Sequence, residues 1–190
     1  MDLEQEKELV FKAKTDACAF GLLYDEYYKK IFGYVLHRTA NVEVTKDIVS
    51  EVFLKALQNI GHFEWRDIPF SAWLYRIAEH EISNSYKHNK QLILLKQDLE
   101  NSEILSDISI EDEIVCAEAE IQKHEEFLLL HQCIVKLPNI YQEVIVLKYF
   151  EKKSPGEICI ILGKHEGTVK SLLHRGLKKL KKLMDENATF

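Results

Sequence analysis

The segment Ser154-Pro155-Gly156-Glu157-Ile158-Cys159-Ile160-Ile161-Leu162-Gly163-Lys164-His165-Glu166-Gly167-Thr168-Val169-Lys170-Ser171-Leu172-Leu173-His174-Arg175-Gly176-Leu177-Lys178-Lys179-Leu180-Lys181-Lys182-Leu183-Met184 governs how the rest of the chain is read. Ser154 and Glu157 have the S-x-x-E spacing of a capping box, in which each side chain satisfies a backbone N–H that the first helical turn leaves without a partner. Pro155 suits the first helical position. Ile158, Ile161 and Leu162 then give about two apolar turns, and Gly163 supplies the left-handed residue that ends them. A longer helix follows at once. Two helices joined by a short turn containing glycine form the helix-turn-helix pattern.

The second helix divides into two faces. At about 100° per residue, Val169, Leu173, Gly176 and Leu180 fall on one side, with Leu177 and Leu183 at its edges. Thr168, Lys170, Ser171, His174, Arg175 and Lys178 lie opposite. From Lys152 to Met184 there are nine Lys/Arg against two acids, a local charge of +7 in a chain whose total is −6. An apolar stripe backed by short polar and cationic side chains is what a helix entering a DNA major groove needs. Arg and Lys neutralise phosphates or read guanine, and Ser, Thr and His reach base edges or the backbone. An ordinary surface helix with a solvated lysine face is the plainer alternative. The capped helix and glycine turn that precede it argue for the groove.

Composition bounds the remainder. The 190 residues suit one or two small domains, and 46% hydrophobic content is enough to build cores. With only seven glycines and three prolines amid abundant Glu, Lys, Leu and Ile, an all-α fold is expected. No apolar run approaches the roughly 20 residues of a membrane span, and no signal peptide opens the chain, so a cytoplasmic protein without membrane insertion is expected. Cys18, Cys116, Cys133 and Cys159 lack C-x-x-C spacing and read as reduced core thiols. Between Asp98 and Glu126 stand eleven acids and one base, Lys123. This acidic stretch divides the chain into a helical domain over residues 1–91, a solvated linker over 92–111, and a second helical domain over 112–190.

Two helices of the first domain carry the candidate interfaces. Over Val44 to Ile60, an apolar stripe of Val44, Ile48, Val52, Ala56 and Ile60 is widened by Val49, Phe53 and Leu57. Asp47, Ser50, Glu51, Lys55 and Gln58 lie outside it, on a surface able to meet a protein. An aromatic connector follows, with Phe63, Trp65 and Arg66. Beyond it a helix from Phe70 to Lys90 presents a cationic and polar face of Arg76, His80, Ser83, Lys87 and Lys90. Aromatics interleaved with positive charge suit the unstacked bases of single-stranded nucleic acid. For Trp73 a place in the core is the simpler expectation, and Phe63 and Trp65 equally suit a cap on that core.

Asp47-Ile-Val-Ser-Glu-Val-Phe-Leu-Lys-Ala56, Trp73-Leu-Tyr-Arg-Ile-Ala78 and Glu166-Gly-Thr-Val-Lys-Ser171 are similar, in that order, to motifs of the bacterial extracytoplasmic-function (ECF) sigma factors. These are small members of the sigma-70 family that keep only conserved regions 2 and 4. The resemblance covers residues 16–92 and 125–184. It implies that Asp47, Ser50, Glu51 and Lys55 dock on the clamp helices of the largest subunit of core RNA polymerase. It implies that Phe63, Trp65 and Arg66 belong to the strand-opening region 2.3. Arg76, His80, Ser83, Asn84 and Lys87 fall in region 2.4, which reads the −10 element. Thr168, Lys170, Ser171, His174, Arg175 and Lys178 fall on the helix that enters the −35 element, in a domain that rests on the polymerase flap. Promoter DNA and an anti-sigma factor complete the implied partners.

Four positions depart from the family pattern. Ser50 stands where glutamine is frequent, and His80 stands where asparagine is usual, flanked by Glu79 and Glu81. Leu172 replaces a frequent arginine, and His165 replaces a Ser or Thr N-cap at a cost of roughly 1 kcal/mol. Two rivals are set aside. A dimeric helix-turn-helix repressor normally opens with its DNA motif, whereas here that motif closes the chain. A helical metalloenzyme is prompted by the eight histidines, but none has glutamate three residues before it and H-E-x-x-H is absent. With no phosphate loop, zinc spacing or Ser/His/Asp set, neither catalysis nor a cofactor or metal is expected. A promoter-recognising transcription initiation factor is.

Overall fold

A computed structural model describes residues 3–65, 68–96 and 125–187. Arg66 and most of the acidic linker lie outside them. The described residues are helical, with no strand among them. In the first half these are α1 (Leu3–Ala13), α2 (Ala17–Thr39), α3 (Val42–Asn59), a 3₁₀ turn (Ile60–His62) and α4 (Phe70–Lys96). In the second half α5 (Glu125–Lys136) and α6 (Asn139–Ile145) lead into a π turn (Val146–Phe150), then α7 (Pro155–Leu162) and α8 (Glu166–Asn187). Among the described residues no helix is long and apolar enough to cross a membrane. Helix α4 runs to Lys96, into the stretch expected to be linker.

Local chemistry sets the helix ends. Asp16 caps α2 by accepting from the Cys18 N–H, and Asn41 caps α3 through Val44 N–H. Both halves of the capping box form on α7, and Gly163 ends that helix at φ 61°. Helix α4 gains its N-terminal partner from far away. The buried Glu6 carboxylate of α1 accepts from Phe70 N–H at 2.8 Å and from the Tyr27 hydroxyl. The first helix thereby fixes where α4 begins.

The apolar stripe of α3 is realised by Ile48, Val49, Val52, Phe53 and Ala56, all buried against α2 and α4. Leu57 is the exception. Expected at the edge of the stripe, it is 45% exposed, as is its neighbour Leu54 at 47%. Helix α8 is rotated by a similar increment. Val169, Leu172, Gly176 and Leu180 form its buried line, while Leu173 is half-buried and Leu177 exposed. Leu172, which replaces an arginine frequent in the family, is a core residue 4% exposed. Gly176 has a steric reason, since a Cβ there would lie 3.1 Å from Ile145 and 3.2 Å from Tyr141 on α6. Its absence lets α8 lie against α6.

The two halves also pack on one another. Helices α4 and α7 are in contact, and α2 touches both α5 and the π turn. Polar residues and an aromatic stack join them, and two, Arg76 and Ser83, are residues expected to touch DNA.

Candidate DNA and polymerase interfaces

The α8 face is open. Thr168, Lys170, Ser171, His174, Arg175 and Lys178 are all exposed, opposite the buried Val169, Leu172 and Gly176. Their bonds stay within the helix: Lys170 pairs with Glu166 at 2.7 Å, and Arg175 donates to the Ser171 carbonyl at 3.2 Å. The Glu166 carboxylate holds the Lys170 ammonium's pKa above its ordinary value, so this residue is a dependable cation. Tyr141, the basic residues Arg175, Lys178, Lys179, Lys181 and Lys182, and at the far end Asp185 and Glu186 line an open groove beside this face. The long cationic side chains can follow a phosphate backbone while the shorter ones address base edges.

The α4 face is arranged differently. At about 100° per residue, Arg76, His80, Ser83, Asn84 and Lys87 share one side. Toward α3 they meet a small ion network: Lys55 pairs with Glu81 at 2.6 Å, His80 Nδ1 lies 2.8 Å from Glu81, and Asn84 lies 3.1 Å from His80. Burial works to raise the Glu81 pKa, but the bonds to His80 and Lys55 bring it below the ordinary carboxylate value. Lys55 thus faces α4 and is only partly exposed, whereas Asp47, Ser50 and Glu51 are open to solvent. His80 keeps 70% of its side chain exposed, so the network orients it without hiding it.

Phe63 and Trp65 are half-buried and packed. Phe63 lies 4.9 Å from Trp73, 5.6 Å from Phe70 and 6.4 Å from Trp65, and its carbonyl accepts from Lys14 at 2.6 Å. Much of each ring is therefore committed to the domain rather than projected into solvent. Beside this cluster, Lys55, Asn59, Trp73, Arg76, His80 and Glu81 contribute to a cleft of about 420 Å³. It is large enough for a nucleobase and combines an aromatic wall, cations and one carboxylate.

Toward the second half, the same α4 face is engaged. Arg76 donates to the Ile160 carbonyl at 2.6 Å and the Ile161 carbonyl at 3.3 Å, on the last turn of α7. Ser83 accepts from Asn139 at 3.2 Å. Behind them Arg38, fully buried, donates to Glu79 and Tyr34 from one half and to Asn139 and Gln142 from the other. Sequence reasoning missed the pairing of Arg38 with Glu79, Asn139 and Gln142, because these partners lie 41 to 104 residues away. It also missed Leu54. On α3, Leu54 falls between Ser50 and Glu51 in the helical projection, so the acidic face there has an apolar centre.

Comparison with known proteins gives the family. The sequence matches the family models "Sigma-70 region 2" over residues 23–91 and "Sigma-70, region 4" over residues 127–180. It is 34% identical to the ECF RNA polymerase sigma factor SigW of Bacillus subtilis over 96% of this chain and 97% of that protein. It is 29% identical to the ECF RNA polymerase sigma factor BldN of Streptomyces coelicolor over 95% of this chain and 66% of that protein. Its fold resembles that of CnrH solved in complex with the cytosolic domain of CnrY, with a TM-score of 0.69, 21% identity, and coverage of 95% of this chain and 97% of that one. The sigma factor RpoE of Bartonella quintana, solved with the anti-sigma factor NepR, gives a TM-score of 0.67 at 16% identity over 87% of this chain and 96% of that one. The chain belongs to the sigma-70 family, within its ECF RNA polymerase sigma factors. Promoter-specific transcription initiation is the function of that family.

Proposed function

We propose that this chain binds core RNA polymerase through the α3 face and delivers it to promoters read at two elements. Asp47, Ser50 and Glu51 form the polar part of that docking face, and the exposed Leu54 and Leu57 its apolar centre. Lys55 belongs at the border with α4, where its partner Glu81 lies. Thr168, Lys170, Ser171, His174, Arg175 and Lys178 read the −35 element. Arg76, His80, Ser83, Asn84 and Lys87 hold the −10 element, with Phe63 and Trp65 shaping the adjoining cleft. The polymerase does the chemistry and the chain supplies recognition, so it works in the cytoplasm beside that enzyme. An anti-sigma factor is a further proposed partner, as for the RpoE structure, which shares the fold and was solved with the anti-sigma factor NepR.

The observation that carries this reading is the α8 face, where six groove-suited side chains stand exposed opposite a fully buried stripe. Run-off transcription with purified core polymerase on genomic fragments tests it. Discrete transcripts that require the chain are expected. Failure to associate with core, or sequence-specific DNA binding by a stable dimer without polymerase, would overturn it.

A further inference from the structure

Helix α1 lies outside the match to sigma-70 region 2, which begins at residue 23. Its buried line is Glu6, Val10 and Ala13, so a carboxylate occupies a position that suits an apolar side chain. Buried to 4% exposure, that carboxylate would be costly without partners. It accepts from the Phe70 N–H at 2.8 Å and from the Tyr27 hydroxyl. Phe70 opens α4, and the first N–H groups of a helix have no acceptor within it. The positive end of the α4 dipole also favours a carboxylate there. Glu6 is therefore a cap for α4, supplied from 64 residues away.

A second bond leaves the end of the same helix. Lys14, half-buried, donates to the Phe63 carbonyl at 2.6 Å. Phe63 and Phe70 are in ring contact at 5.6 Å, and they meet Trp73 at 4.9 Å and 5.3 Å. Glu6 and Lys14 thus hold one ring cluster by its backbone in two places. That cluster is a wall of the −10 cleft: Phe63 and Trp73 line it together with Arg76 and His80. A shift of Phe63, or of the first turn of α4, moves the surface on which a base would stack. Stacking is worth about 1–3 kcal/mol per base, and a wall already in place does not have to be ordered by the strand it receives.

We propose that α1 is part of the strand-opening device: Glu6 and Lys14 are positioning residues that hold Phe63, Phe70 and Trp73 in place beside Arg76 and His80, so that the cleft is formed before DNA arrives. The proposal rests on the assignment of this cleft to the −10 element. Neither side chain is placed against DNA. Lys14 acts through the Phe63 carbonyl, and Glu6 acts through the Phe70 N–H.

The test uses the full chain in holoenzyme, with Lys14→Met, Lys14→Arg, Glu6→Gln and Glu6→Leu. Met keeps the length of the side chain and deletes the donor, whereas Arg restores one. Gln keeps an acceptor for Phe70, and Leu does not. Opening of a duplex promoter is followed through permanganate reactivity of unpaired thymines in the −10 element. Lys14→Met is expected to slow opening about fivefold, the order of one hydrogen bond, with helix content and thermal midpoint unchanged. Lys14→Arg and Glu6→Gln should open close to the wild-type rate, and Glu6→Leu at least as slowly as Lys14→Met. The slope of log rate against log salt should be the same for Lys14→Met and wild type, because no phosphate contact is lost. A slope smaller by about one would make Lys14 a direct phosphate contact and overturn its positioning role. Slowing that Lys14→Arg does not repair, or wild-type rates for folded Lys14→Met and Glu6→Leu, would overturn the proposal as well. The double variant His80→Ala with Asn84→Ala marks the underlying assignment. If it opens the promoter at the wild-type rate, the −10 reading of the cleft fails; if it is slow while the α1 variants are not, the role of α1 alone fails. Should Glu6→Leu lose helix content, the Lys14 pair decides the matter.

Discussion

Helix α8 and helix α4 carry similar side chains to different situations. Both present Arg, Lys, His and Ser on a polar face, and both lay an apolar face on a core. On α8 the polar face bonds only within its own helix, through Lys170–Glu166 and Arg175–Ser171. On α4 it bonds to α3 through the His80–Glu81–Lys55 set, and to the second half through Arg76 and Ser83. Composition shows that a surface suits DNA. Whether that surface is free is a property of the tertiary structure. Substitutions should therefore separate the two faces: on α8 they should change binding alone, whereas around α4 they should also change stability.

The sharpest break is Arg38→Met. Arg38 lies behind the α4 face, fully buried and bonded to Glu79, Tyr34, Asn139 and Gln142. Removing the guanidinium leaves Glu79, mostly buried and with one carboxylate oxygen that has no hydrogen-bond partner among the described residues, without a cation and with only the Tyr34 hydroxyl on its other oxygen. A loss of about 3–5 kcal/mol is expected in chemical denaturation. A change below about 1 kcal/mol would mean that the halves do not rely on this network.

Arg175→Ala is the contrasting case. Among the described residues it bonds to a carbonyl of its own helix, so stability should move by less than about 0.5 kcal/mol. Promoter affinity of the holoenzyme should fall by about 1–3 kcal/mol if the fork reads a base. Association with core should stay the same. Unchanged promoter affinity for single alanine substitutions at Lys170, Ser171, His174 and Arg175 would remove α8 from the groove.

These two substitutions also mark what was legible in the sequence. The capping box at Ser154 and Glu157, the left-handed Gly163 and the cationic face of α8 are written within a few residues, and each is found as read. Local periodicity locates a face to within about one residue, which is why the apolar stripes were drawn through Leu57 and Leu173, one exposed and the other only half-buried. In α8, Leu172 and Leu173 are adjacent, and packing against α5, α6 and α7 decides which of them turns inward. The joint between the halves was not legible at all. Arg38 meets Gln142 across 104 residues, and nothing in the local pattern of either helix announces the pairing.

A smaller effect is expected on the polymerase side. Glu51 and Asp47 are exposed and off the buried stripe of α3, so Glu51→Lys should fold normally. It should slow association with core polymerase and flatten its salt dependence, because reversing a steering charge removes long-range attraction that salt would screen. A folded Glu51→Lys protein that competes for core as well as wild type would move the docking site away from this face. Replacing Leu54 with Ser then becomes the informative variant, because it removes apolar area and leaves charge alone.

The smallest expected effect separates the two faces by pH. Two kinds of group at the joint are perturbed in opposite directions. Glu143 of α6 is pushed up to about 7 by burial and by the nearby Glu79 carboxylate, against the pull of Lys164 at 3.3 Å and of Arg38. A proton on Glu143 also gives Glu79 a donor. Glu151 is raised as well, chiefly by burial. His37 is brought down to about 3 by burial and by His131, and His131 is itself lowered by burial. The raised carboxyl contributes stability that is complete below its ordinary value of 4.5 and is lost as pH rises through about 7. The lowered imidazole contributes stability that is complete above 6.5 and is lost as pH falls toward about 3. Between about 4.5 and 6.5 the two slopes oppose each other, so the joint should be nearly insensitive to pH there. It should weaken modestly as pH rises from 6.5 past 7, and more steeply below 4.5. Denaturation of wild type and Glu143→Gln at pH 5.5, 6.5 and 8 isolates the upper step, because the difference between the two proteins cancels carboxylates elsewhere. That difference should change between pH 5.5 and 8, with wild type losing more stability than the variant. A constant difference would show that Glu143 is ionised throughout and that Lys164 and Arg38 already balance its charge, leaving the α4 and α8 faces alike in their response to pH.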